Sequence, residues 1–235
     1  MLNQNHFTMI REAKGNMYKF ITHTWNPIQG KCLHDCAYCY MKRSPQYSKP
    51  IFIESEMTEP LNGRDIFIGS STDVFAENIS SEWINRTLNH CLEEYEKGNC
   101  SMFLLQSKNP KRFLEFINHP IMKRCVLCTT IETNRFYPDF MRNAPKIEGR
   151  VEAMEDIAKQ GIATMVTAEP LMQFDLETML DYLKRCQPKV VNIGRNTRRE
   201  IELPEPTKEE VQQLILGLKE FTKVHIKENG KFWLA

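Results

Sequence analysis

Short apolar runs alternate along the chain with longer segments in which apolar residues recur every three or four positions. The short runs, at residues 65–68, 102–106, 124–130, 162–168, 189–193 and 224–227, read as strands, with 18–22 as a first strand ahead of them. The longer segments read as helices. Over 81–97, Trp83, Ile84, Thr87, Leu88, Cys91, Leu92 and Tyr95 fall on one helical face. Asn109 as N-cap, with Pro110 at the first helical position, opens a short helix through Ile117. Residues 150–160 present Val151, Met154, Ile157 and Ala158 and stop at Gly161. Residues 175–186 turn Leu176, Met179, Leu180 and Leu183 inward. Thr207 and Glu210 form a capping box that opens a helix carrying Val211, Leu214, Ile215, Leu218 and Phe221.

Strand and helix thus alternate some six or seven times. The pattern implies an α/β fold with a parallel sheet and right-handed crossovers. A full eightfold barrel typically takes ~250 residues. The 235-residue chain is therefore expected to be a partial (β/α)6-type TIM barrel. Residues 1–17 read as an N-terminal extension, 18–200 as the core barrel, and 201–235 as a C-terminal helix and strand, all in one domain.

Composition narrows the function classes. The chain is 41% hydrophobic and 26% charged, which excludes a disordered polymer. Its longest apolar run, 37–41, is five residues, against the ~20 that span a bilayer. Arg11, Glu12 and Lys14 precede any apolar core, so no signal peptide is expected and the chain reads as cytoplasmic. The net charge of +1 argues against coating nucleic acid by bulk electrostatics, and leaves room for local basic patches.

Polar residues follow each apolar strand: Ser70, Thr72 and Asp73; Gln106 and Lys108; Thr130 and Glu132; Thr167 and Glu169; Asn192; Lys227. In parallel α/β folds these C-terminal ends carry the chemistry. Cys128, Thr130 and Glu132 share a face, as do Thr167 with Glu169 and Gln106 with Lys108. Asp73 and Asn192 read equally well as helix caps. Lys108, Glu132 and Glu169, on different strands, favour a ligand pocket, because converging buried polar groups need a partner.

The eight cysteines stand at 32, 36, 39, 91, 100, 125, 128 and 186. Without a secretory signal, a disulfide framework is not expected. Cys91, Cys100, Cys125 and Cys186 read as core residues. Cys32, Cys36 and Cys39, spaced C-x3-C-x2-C in a polar loop after Gly30, suit a [4Fe–4S] cube with one iron lacking a protein ligand. A zinc site of Cys32, Cys36, Cys39 and His34 is the competing reading, although structural zinc usually takes ligands in two separated pairs. Cys125 and Cys128, three apart on a strand, face opposite ways and chelate poorly.

The C-x3-C-x2-C loop with Tyr38 before its last cysteine resembles the radical S-adenosylmethionine (radical SAM) superfamily. Thr24-Trp25-Asn26-Pro27, Ser70-Ser71-Thr72-Asp73-Val74-Phe75, Gln106-Ser107-Lys108-Asn109-Pro110, Ala168-Glu169-Pro170-Leu171 and Ile226-Lys227 resemble an uncharacterised radical SAM-type family of phages and bacteria. That family is itself similar to spore photoproduct lyase. Gly194-Arg195-Asn196-Thr197 departs from it, where a Gly-Gly-Glu-like turn is usual.

The resemblance implies a [4Fe–4S] cluster on Cys32, Cys36 and Cys39, with S-adenosylmethionine on the open iron through its amino and carboxylate groups. It implies reductive cleavage of the sulfonium to a 5′-deoxyadenosyl radical that abstracts hydrogen from a substrate. The electron would come from an external donor such as flavodoxin or ferredoxin. Ser70, Thr72 or Asp73 would accept from the methionyl amino group, and Lys108 would meet the carboxylate. Thr130 or Glu132 would bind the ribose, Tyr38 would stack on adenine, and Glu169 would bind ribose or substrate. Arg150 reads as a solvated helix terminus or as an arginine beneath the cofactor. Cys128 reads as an ordinary buried residue or as a lumen thiol that returns a hydrogen atom to the substrate. Basic clusters at Lys42-Arg43, Lys108/Lys111/Arg112, Lys123-Arg124 and Arg195/Arg198/Arg199 read as solvated surface or as contacts for a nucleotide or nucleic acid. The alternative class is a non-catalytic iron–sulfur or zinc protein that binds nucleic acid.

Overall fold

Seven strands run parallel in one sheet of the computed structural model, which describes residues 10–63 and 65–234. Residues 1–9 of the expected N-terminal extension lie outside the described residues. In chain order the strands are β1 (Arg11–Glu12), β2 (His23–Trp25), β3 (Ile28–Gln29), β4 (Ile51–Phe52), β5 (Asp65–Ile68), β6 (Met102–Gln106), β7 (Cys125–Thr130), β8 (Ala163–Ala168), β9 (Val190–Ile193) and β10 (Lys223–Ile226). The large sheet has the order β1-β2-β5-β6-β7-β8-β9-β10. Only β1 in it is antiparallel, on β2. β3 and β4 pair separately. The helices α1 (Ser81–Glu96), α2 (Pro138–Met141), α3 (Ile147–Lys159), α4 (Leu176–Arg185) and α5 (Lys208–Lys219) lie in the crossovers. This is the partial α/β barrel that the alternation predicts.

Alternation along each strand splits the core in two. Ile66, Ile68, Phe103, Leu105, Leu127, Val166, Val191 and Ile193 are buried in one large cluster with the inner faces of the helices. Phe67, Leu104, Cys128 and Met165 point the other way and form a second cluster on the concave face. Tyr18 and Ile21 complete that second cluster. They belong to no strand, which corrects the expected first strand at 18–22. The segment turns, with Ile21 N donating to Tyr18 O at 3.0 Å, and its apolar side chains fill the lumen of an open barrel. The first parallel strand is β2, separated from the cysteine loop by the two-residue β3.

The helices sit close to their expected places. The Thr207–Glu210 capping box is present in full. Asn109 does not cap: its amide donates to Phe75 O at 3.2 Å, and the turn it precedes, Pro110–Phe116, is a 3-10 helix. α3 begins at Ile147, so Arg150 lies in its first turn and is wholly buried. The solvated reading of Arg150 is therefore excluded. No helix among the described residues is long and apolar enough to cross a membrane.

Candidate functional site

A cavity of about 860 Å³ opens at the C-terminal ends of the parallel strands. Cys32, Cys36 and Cys39 line it from the β2–β3 side, and Glu169 and Lys227 line it from β8 and β10. Tyr38, Asp73, Lys108 and Thr130 also reach its surface. Ser70, Thr72, Glu132 and Cys128 are not among its walls. All eight cysteines are free thiols.

The cysteine loop is held by backbone and side chain together. Gly30 has φ +124, and a Cβ there would collide with the Lys49 carbonyl, so glycine is required. Thr72 Oγ1 donates to Gly30 O at 2.5 Å. Ser70 Oγ and Ser71 N donate to Asn26 Oδ1 at 3.2 and 2.9 Å. Asp73 is the hub. Its Oδ2 accepts from His34 Nε2 (2.7 Å), Ser107 Oγ (3.0 Å) and Lys108 N (2.9 Å), and its Oδ1 from Phe75 N (3.0 Å). Burial pushes the Asp73 carboxyl up, but His34 and these donors outweigh it and hold it below the usual carboxylate range. Burial, with Asp73 nearby, pushes the Cys32 thiol up to about 12, and burial raises Cys39 as well. A metal centre entering this loop therefore displaces protons.

A buried ion cluster forms the next layer. Lys108 Nζ pairs with Glu132 Oε1 and donates to Tyr38 OH at 2.9 Å, 4.8 Å from the Tyr38 ring centre. Tyr38 OH donates to Glu132 Oε1 at 2.5 Å. Arg150 Nη1 reaches Glu132 Oε2 and Thr130 O, both at 2.8 Å. Burial alone would raise the Glu132 carboxyl, but Lys108 and Arg150 hold it at about 2. Both its oxygens are occupied, so Glu132 orients Lys108 and Tyr38. Lys108 spends two of its three ammonium hydrogens this way and keeps one for a ligand.

The opposite wall repeats the motif. Lys227 Nζ pairs with Glu169 Oε2 at 2.5 Å and stands 4.6 Å from the Tyr18 ring centre. Asn229 Nδ2 (2.9 Å) and Asn16 Nδ2 (2.5 Å) both donate to Glu169 Oε1. Gly194 leaves room for this network, since a Cβ there would meet Glu169 Oε1 at 2.8 Å. Cys128 does face the lumen, but it is fully buried. Tyr18, whose OH donates to Gln106 Oε1 at 2.7 Å, and Phe67 are the residues of this inner cluster that reach the cavity. Asn16, Tyr18 and Asn229 went unmarked as site residues in the sequence, and His34 was marked only as a zinc ligand of the competing reading. Only the position of His34 inside the cysteine loop signalled it.

Several residues of the basic clusters are paired with acids. Arg195 pairs with Glu205 and stands over the Phe232 ring at 4.7 Å. Arg198 pairs with Glu200 and donates to Ala37 O at 2.8 Å, tying the loop after β9 to the cysteine loop. Arg43 also pairs with Glu200. Arg112 is buried and donates to Ala76 O. Lys31, Lys42 and Arg142 all converge on Asp35 beside the cysteine loop.

Three soft thiol donors on one loop, facing one cavity, fit an iron–sulfur cluster by their chemistry. Among the described residues no three His, Cys, Asp or Glu side chains are grouped round a single point.

No family model matches the chain, and no curated protein matches it. Solved structures do. Spore photoproduct lyase in complex with a dinucleoside spore photoproduct superposes with a TM-score of 0.67 at 10% identity, over 94% of this chain and 79% of that one. A cysteine-to-serine variant of the same enzyme gives 0.65 at 10% identity, over 92% and 79%. A double variant with bound AdoMet and the dinucleoside photoproduct gives 0.63 at 10% identity, over 90% and 78%. At that identity the likeness is one of fold: the chain has the partial α/β barrel that spore photoproduct lyase also has.

Proposed function

We propose that this chain is a radical SAM enzyme. The observation that carries the reading is the convergence of three free thiols and a lysine with a spare donor on one cavity at the strand ends of that barrel. Cys32, Cys36 and Cys39 would hold a [4Fe–4S] cluster, with S-adenosylmethionine beside it. When bound, that pair supplies one-electron cleavage of a sulfonium and hydrogen abstraction from a substrate.

The chain's own residues bind, orient and exclude water. Lys108, fixed by Glu132 and Tyr38, offers its remaining N–H to the methionyl carboxylate. Thr130, on the cavity wall, meets the ribose. Ser70, Thr72 and Asp73 act by shaping the cysteine loop, since their polar atoms are already engaged within the protein. Glu169 and Lys227 face the substrate end. Cys128, under Tyr18, is the candidate donor of a returning hydrogen atom.

A nucleotide or nucleic acid is the substrate class we favour. Half-exposed Tyr40 and Tyr47 line the mouth of the cavity, where bases would stack. Spore photoproduct lyase, with the same fold, is complexed with a dinucleoside photoproduct. The net positive surface round Asp35 suits an acidic electron donor such as flavodoxin or ferredoxin.

Anaerobic reconstitution tests the reading. The expected result is about four irons per chain, loss of the cluster in Cys36→Ala, and reductive formation of 5′-deoxyadenosine from S-adenosylmethionine. Zinc occupancy without cleavage of S-adenosylmethionine overturns it.

A further inference from the structure

His34 carries an atom that the rest of the site leaves unused. Its Nε2 lies 2.7 Å from Asp73 Oδ2. A carboxylate only accepts, so Nε2 donates, and in the neutral ring Nδ1 is left as a lone pair. That Nδ1 is buried and has no hydrogen-bond partner among the described residues. The ring is only 4% exposed, yet it lines the same cavity as the three thiols. A buried acceptor without a partner is destabilising until a donor reaches it.

One carboxylate also ties the His34 ring to the end of β6, where Lys108 begins. Asp73 Oδ2 holds His34 through Nε2 and Lys108 through its backbone N–H. His34, with its acceptor Nδ1, and Lys108, with its donor Nζ held by Glu132 and Tyr38, line the same cavity as the three thiols. An α-amino acid group presents the complement, an N–H donor beside a carboxylate acceptor. We propose that His34 Nδ1 accepts a hydrogen bond from the amino group of S-adenosylmethionine while Lys108 takes its carboxylate, so that His34 is a ligand-positioning residue. The assignment rests on the radical SAM reading above.

Two substitutions test it on anaerobically reconstituted protein. His34→Gln can keep the donor to Asp73 and removes the Nδ1 acceptor. His34→Asn puts an amide oxygen near the Nδ1 position. Binding of S-adenosylmethionine is followed by its dissociation constant and by the change it causes in the electron paramagnetic resonance spectrum of the reduced cluster. The expected result for His34→Gln is unchanged iron per chain, a dissociation constant raised about tenfold (the worth of one such bond) and an altered spectrum. His34→Asn recovers part of the affinity. Wild-type affinity and spectrum in His34→Gln overturn the assignment and leave Nδ1 to a water. Loss of iron in His34→Gln also overturns it, since the ring would then serve the loop. A wild-type protein that takes up iron but binds no S-adenosylmethionine overturns the radical SAM reading, and this assignment with it.

Discussion

Glu132 and Arg150 lie wholly buried against each other, Oε2 to Nη1 at 2.8 Å. Neither touches the cavity, yet together they fix Lys108, which does. Glu132→Ala would leave Arg150 as an uncompensated buried charge and cost about 3–5 kcal/mol. Replacing both by apolar residues, Glu132→Leu with Arg150→Met, should cost less than the sum of the single changes. Chemical denaturation of the three variants measures this. The acid limb follows from the same pair. Burial raises the Glu132 carboxyl, but Lys108 and Arg150 hold it at about 2, below its ordinary 4.5. Its contribution is complete above pH 4.5 and is lost as the pH falls toward 2.

Glu56 runs the other way. It is buried against Trp25, whose Nε1 donates to it at 2.9 Å, and burial pushes its carboxyl up to about 7. A raised folded value stabilises only at low pH, so stability should fall between pH 4.5 and 7 as the unfolded chain ionises first. Glu56→Gln keeps an acceptor for Trp25 and removes the titration. It should be more stable than wild type at pH 8, by on the order of 2 kcal/mol, and so melt higher there, and gain little at pH 4. Melting curves at the two pH values decide this.

Tyr18 seals the lumen above Cys128. Tyr18→Ala should cost about 3–5 kcal/mol and open a path to Cys128. Site-resolved mass spectrometry after brief treatment with a small thiol reagent should find Cys128 unmodified in wild type and modified in the variant. Under turnover, Cys128→Ala with unchanged product and rate would remove the hydrogen-return role.

Gly30→Ala sets a Cβ against the Lys49 carbonyl at a backbone angle that L side chains rarely adopt. The loop must shift. The expected outcome is a folded barrel by circular dichroism that retains less iron after reconstitution than wild type.

The parallel strands were legible because a buried strand between two helices is a short apolar run and little else. Met102–Gln106 and Asp65–Ile68 fall on their predicted limits. Residues 18–22 misled for the same reason. Tyr18 and Ile21 are apolar and buried, but the burial comes from plugging the concave face, and periodicity reports burial without reporting the ladder. β1, β3 and β4 are two residues each, too short to show any period. The cysteine loop, Lys108 and Glu132 were visible from spacing and strand-end position. Partnerships such as Asn16 with Glu169, 153 positions apart, leave no local trace. Nor did the Arg195 and Arg198 cluster announce that Glu205 and Glu200 neutralise it.

Asp73 gathers four hydrogen bonds from three stretches of chain: the cysteine loop through His34, its own turn through Phe75, and the end of β6 through Ser107 and Lys108. These stretches have therefore lost most of their relative freedom before any ligand arrives. Ordering a loop on binding costs entropy that subtracts from affinity, and here folding has already met that cost. Cutting this one carboxylate, as in Asp73→Ala, should show less in the sheet than in the entropy of binding. A calorimeter would read it as an affinity lost through a less favourable TΔS, with the barrel still standing.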